Sequence, residues 1–270
     1  MNVDLLWFVL LTVALSVPSG ALAFWLVDAP FDDLRALPLL LVAIWSPNLA
    51  ALVLAGIRGE LGALVQPILA PGSLVAWLGA VLPLAIALAV GLARGVPAPA
   101  VGTAALLVGM NLVMGPLGEE LGWRGYLLPR LVPSVGLVGA ALLVGIVWAL
   151  WHLPLWAFDS PQAEIPFWLF AVTCVCFSLV MTALWHAGGG ALGPMVLFHL
   201  LANVGVGWLF LSGDLNGADA YRAGLPVYVF AAVVAGVWLV GQPPAPSAMA
   251  ATPTAAGQPG SADQFPVDSP

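Results

Sequence analysis

The chain has 270 residues, 62% of them hydrophobic and 7% charged, and its mean hydropathy is +1.06. Soluble domains carry about 25% charged residues. The composition therefore excludes a soluble globular protein and points to one polytopic membrane bundle, although length alone would suggest two domains. Six arginines, no lysine and 13 acidic residues give a net charge of −7. That excludes a nucleic-acid-binding surface and a polybasic lipid-binding segment, and it leaves the lipid bilayer as the expected surroundings.

A membrane helix needs about 20 mostly apolar residues. Such runs are predicted at roughly 5–27, 36–56, 74–93, 101–119, 135–157, 166–186, 191–211 and 224–241. The expected fold class is all-α: a polytopic transmembrane helix bundle of about eight helices over residues 1–241. The first run follows Met1-Asn2-Val3-Asp4, has no positive n-region and is long for a signal-peptide core, so it reads as a retained helix. The connections are short. Residues 28–35 form an acidic hairpin, and residues 58–72, with Arg58, Glu60 and Pro67, lie along the interface. Residues 214–223 read as a polar turn. Cys174 and Cys176 sit two residues apart in an apolar run; on a helix they do not face each other, so neither a disulfide nor a two-cysteine metal clip is expected. Residues 242–270 are rich in Pro, Ala, Gly, Ser and Thr and cannot bury a core, so a disordered tail is expected there.

Charged groups inside apolar runs cost roughly 2.5–3.5 kcal/mol at mid-bilayer and usually mark function. The polar and charged groups within or capping these runs are Glu119, Glu120, Arg124, His152, His199 and Asn203, with Asn48 and Asn111 as weaker candidates. His186, beside Gly188-Gly189-Gly190, reads as a loop residue. On a helix Glu120 and Arg124 are i, i+4 and can pair, while Glu119 points about 100° away and has no i+4 cation. Trp148 and His152 are also i, i+4, so a ring can pack on the imidazole, and Pro154 perturbs the helix just beyond. His199 and Asn203 repeat the spacing. Taken singly, each pair also suits an ordinary interfacial ion pair, a satisfied core histidine or interhelical hydrogen-bond glue. Together, a carboxylate, two imidazoles and an amide form a hydrolytic set: Glu takes a proton from water, His orients it, and His or Asn holds a developing oxyanion.

Glu119-Glu120-x-x-x-Arg124, followed by Gly125-Tyr126, resembles the first motif of the CPBP intramembrane proteases. That family includes the type II CAAX prenyl endopeptidases and bacterial Abi proteins linked to bacteriocin immunity. Trp148-x-x-x-His152 is similar to its second motif, with Trp in place of Phe, and His199-x-x-x-Asn203 to its third. The resemblance implies an endopeptidase acting on a peptide or protein substrate, some of it membrane-associated. Glu119 and His152 would activate water, His199 and Asn203 would stabilise the oxyanion, and Glu120, Arg124 and Trp148 would support them. The cofactor stays open. Glu119, His152 and His199 could supply the three protein ligands of an open zinc site, but no His-Glu-x-x-His is present, and a metal-free glutamate mechanism suits the same residues. A catalytically silent scaffold or immunity protein and a proton-coupled transporter remain as alternatives. The Ala- and Gly-rich composition, with arginine and no lysine, suits a GC-rich bacterial genome and a multi-pass protein of a bacterial cell membrane.

The motifs also impose a geometric demand. Straight spans would separate His152 from Glu119 by up to roughly 25 Å at 1.5 Å per residue, whereas catalysis needs hydrogen-bond reach, directly or through one water. Residues 120–134, with Gly122, Gly125, Pro129 and Pro133, are therefore expected to bend back into the bundle rather than emerge.

Overall fold

The computed structural model describes residues 3–28, 30–31, 33–158, 160–211 and 216–243. The described residues are helical, without strands. All but the first two residues of the expected tail lie outside them.

α1 (Val3–Leu26) and α2 (Leu37–Arg58) form an antiparallel hairpin, and Gly59 closes α2 in the left-handed conformation (φ 72°) that its missing Cβ permits. α3 (Leu61–Leu69) is a short helix with Leu64 buried and its other apolar side chains largely exposed. The expected interfacial connection thus contains two and a half turns of helix. α4 (Leu74–Ala80) and α5 (Leu82–Arg94) make one crossing that breaks before Pro83.

The stretch Val101–Ala157 is almost unbroken helix over 57 residues, nearly three times what one crossing needs. It begins as α6 (Val101–Val113), breaks at Met114-Gly115, and resumes as the single turn α7 (Pro116–Glu120). A π-helix (Leu121–Leu127) follows and runs directly into α8 (Leu128–His152). Residues 122–128 are all buried, so the segment bends back into the bundle as its glycines and prolines suggested. α8 is itself interrupted at Gly136, whose φ of 71° only glycine adopts readily. It stops at His152 because Pro154 turns the chain into a 3₁₀ turn (Leu153–Ala157).

α9 (Phe167–Ala187) packs between α8 and α11 (Gly217–Val240), and α10 (Gly193–Leu211) lies against α5 and α6. Two boundaries differ from expectation. His186 belongs to the last turn of α9, its ring 5.6 Å from that of Trp238. Residues 217–223, expected as a turn, are helix, because the Asn216 side chain accepts the Asp219 N–H at 2.9 Å and caps the N-terminus of α11.

The polarity is inverted relative to a soluble protein. Leu92, Val101 and Val240 are each more than three-quarters exposed, whereas Glu119, Glu120, Arg124 and His199 are buried. That distribution suits a lipid solvent, with polar groups drawn into the interior. Close helix contacts use small residues, as membrane bundles do. A Cβ on Gly145 of α8 would lie 2.8 Å from the Val175 Cα of α9, and the Ser178 hydroxyl donates to the Ala141 carbonyl at 2.7 Å across the same contact.

Candidate active site

The carboxylates sit where α7 passes into the π-helix. A π-turn leaves backbone groups out of the i→i−4 ladder and is a common feature of functional sites. Here α2 satisfies two of those groups. Asn48 donates from Nδ2 to the Leu117 carbonyl at 2.7 Å and accepts the Gly122 N–H on Oδ1 at 2.8 Å. Asn48, a weaker candidate by sequence, is thus the clamp between α2 and the turn that carries Glu119 and Glu120. Glycine allows the approach: a Cβ on Gly122 would lie 2.5 Å from the Pro47 carbonyl carbon, and one on Gly118 would lie 2.7 Å from the Trp45 ring.

Glu120 and Arg124 pair as their spacing suggested. Nη1 of Arg124 reaches both oxygens of Glu120, at 2.9 and 3.1 Å, and both side chains are inaccessible. Oε1 of Glu120 also binds His199 Nδ1 at 2.7 Å, so one carboxylate holds a guanidinium and an imidazole together. The Arg124 guanidinium stacks over the Trp148 ring, 4.6 Å from its centroid, a cation–π contact that is strengthened by desolvation.

Glu119 has different surroundings. Its i+4 residue is Trp123, whose indole N–H donates to Oε2 at 3.2 Å, and Trp148 Nε1 donates to the same oxygen at 2.7 Å. Trp148 also accepts, on its backbone carbonyl, the Nδ1–H of His152 at 2.8 Å. That bond fixes the His152 tautomer and leaves Nε2 with a lone pair. The imidazole stands in an aromatic box, with ring centroids of Trp151 at 4.6 Å, Phe170 at 5.0 Å and Trp148 at 6.1 Å.

Glu119, His152, His199 and Asn203 all line one cavity of about 1070 Å³, together with Trp148 and Trp151. Its remaining walls are mainly apolar side chains of α1, α2 and α6. Glu120 and Arg124 do not line it and stand behind His199 and Trp148. The motif residues thus converge, which straight helices would have prevented. Gly115, at the break before α7, makes room for the third motif: a Cβ there would lie 2.9 Å from Asn203 Nδ2 and 3.7 Å from His199 Nε2. Cys174 and Cys176 are both free, and Cys174 reaches the cavity wall.

Among the described residues, no three His, Cys, Asp or Glu side chains come together as a metal-binding group. Glu119, His152 and His199 share a cavity without forming a three-ligand cluster. Sequence reasoning missed Gly115, Trp151 and Phe170, and it gave Trp123 no role. Only the i, i+4 spacing of Glu119 and Trp123 could have signalled one of them.

A polytopic membrane bundle with a buried Glu–Arg–His cluster beside a cavity lined by Glu, His and Asn defines the class. Residues 101–205 match the family described as type II CAAX prenyl endopeptidase Rce1-like. A CAAX prenyl protease 2 of Methanococcus maripaludis is 31% identical over 110 residues, which cover 38% of this chain and 41% of that protein. The chain thus matches less than half the length of that relative. The matched segment carries all three motifs, so residues 101–205 are similar to the type II CAAX prenyl endopeptidases.

Proposed function

We propose that this protein is an intramembrane endopeptidase that hydrolyses a peptide bond within the cavity. Glu119 acts as general base through Oε1, which accepts no hydrogen bond from a described residue, and takes a proton from a water that His152 Nε2 orients. The hydroxide attacks the scissile carbonyl carbon. The resulting oxyanion is received by the Asn203 amide N–H and by His199, whose Nδ1 is held by Glu120. With both nitrogens of His199 protonated, the buried cluster of Glu119, Glu120, Arg124 and His199 is neutral, and Nε2–H is available as the second donor. Glu119 then returns its proton to the leaving amine. Such acid–base and oxyanion contributions are each worth about 10²–10⁴ in rate.

The observation that supports this reading is the convergence of the four groups on one cavity inside a lipid-facing bundle. The cavity is large enough for an extended peptide with apolar side chains. The name of the Methanococcus relative makes a farnesylated CAAX peptide one substrate to try, and an unmodified apolar peptide is the other. The test is cleavage of internally quenched versions of both by purified protein in lipid nanodiscs, with and without chelator. Wild type is expected to cleave at least one of them, and Glu119→Gln, correctly inserted and folded, to lose about 10²–10⁴ in rate. Turnover by Glu119→Gln at the wild-type rate would remove Glu119 as the base. Absence of any cleavage by wild type would favour a silent scaffold. Loss of activity with chelator would show that a metal takes part.

A further inference from the structure

The aromatic residue four positions before His152 does more than wall the pocket. Trp148 touches residues of all three motifs: its indole N–H reaches Glu119, its carbonyl receives His152, its ring faces Arg124, and its centroid is 5.1 Å from that of His199. The two hydrogen bonds are the decisive pair. Trp123 also donates to Glu119, but it lies one turn away on the same segment and moves with it. Trp148 comes from α8 and is the residue that ties α7 to α8 at the reacting groups. It is buried, so water does not compete for its N–H.

We propose that Trp148 is the positioning residue of the site. Its N–H occupies Oε2 of Glu119 and turns Oε1 toward the cavity, while its carbonyl fixes His152 in the tautomer that presents Nε2. One residue thereby sets the base and the water-orienting imidazole relative to each other. This rests on the reading of Glu119 as general base. A phenylalanine at 148 would keep an aromatic wall and the carbonyl, but it would release Oε2 to a single, longer bond from Trp123 and free the carboxylate to rotate.

The test separates shape from hydrogen bonding. Trp148→Phe removes the N–H and part of the ring. Replacement of Trp148 by 3-benzothienylalanine removes only the N–H and keeps the bicyclic shape. Both are assayed on whichever quenched peptide wild type cleaves. The expected result for the benzothienyl variant is a kcat lower by about 10–100-fold, the size of one charge-assisted hydrogen bond, with KM little changed and wild-type melting. Wild-type kcat in that variant would overturn the proposal. A readout independent of activity is the ultraviolet resonance Raman marker of indole N–H hydrogen bonding, isolated as the difference between wild type and Trp148→Phe. It is expected to report a strongly bonded indole that weakens in Glu119→Gln. An unbonded indole, or a band unmoved by Glu119→Gln, would overturn the tether even in a chain that cleaved neither peptide. That last result would refute the functional reading on its own account.

Discussion

Replacing Gly122 by alanine tests the contact on which the π-turn depends. The new Cβ would lie 2.5 Å from the Pro47 carbonyl carbon, 2.6 Å from its oxygen and 2.7 Å from its Cβ. The first two are backbone atoms of α2 and cannot swing aside as a flexible side chain would. Ordinary contact begins near 3.5 Å, so α2 and the π-turn must part by about 1 Å. The Gly122 N–H to Asn48 Oδ1 bond, 2.8 Å long, then stretches beyond hydrogen-bond range. Overpacking of a tight contact costs about 1–3 kcal/mol, and stranding a buried donor and acceptor about 1–3 kcal/mol. Together these give a loss of roughly 2–6 kcal/mol, with Glu119 and Glu120 displaced on the same turn. The assay is thermal unfolding in nanodiscs, with peptide cleavage alongside. Gly62→Ala is the control, since a Cβ there meets nothing within 4 Å. A Gly122→Ala protein that melts with Gly62→Ala and wild type, and cleaves at the wild-type rate, would refute the view that this approach sets the turn.

The Glu120–Arg124 pair is expected to be structural as well as functional. Breaking a buried pair leaves an uncompensated charge and costs about 3–5 kcal/mol, so Glu120→Gln and Arg124→Ala should each lower the melting temperature. The double variant should lose less than the two losses added together, and three melting curves that overlay wild type would show that the pair carries no such load. The residues beyond 241 offer neither an apolar face nor a catalytic group, so a chain ending at Pro243 should insert and cleave as the full chain does. Loss of activity in a correctly inserted truncation would give the tail a role that its composition does not suggest.

The bundle was legible in the sequence because its cause is local. Runs of about 20 apolar residues satisfy their own backbone only as helices in lipid, and that condition can be read window by window. The i, i+4 relations were legible for the same reason. Glu120 with Arg124 and Trp148 with His152 lie one turn apart wherever the helix is placed, and the π-turn does not separate them. The three motifs also named the residues that line the cavity. What they could not supply was the partner of each group across the bundle. Asn48 meets Gly122 across 74 positions, Trp148 meets Glu119 across 29, and His199 meets Glu120 across 79. Periodicity along one helix carries no information about which face of another helix it will meet. The break at Gly115 and the π-turn were likewise decided by packing: glycine permits such backbone, but the approach of α10 to Gly115 and of α2 to Gly122 requires it. The sequence alone therefore determined that a glutamate, two histidines and an asparagine lie within lipid-embedded helices. The tertiary structure alone decided that the helix bearing the carboxylates turns back, so that Glu119 and His152 share one tryptophan and one cavity rather than facing opposite sides of the membrane.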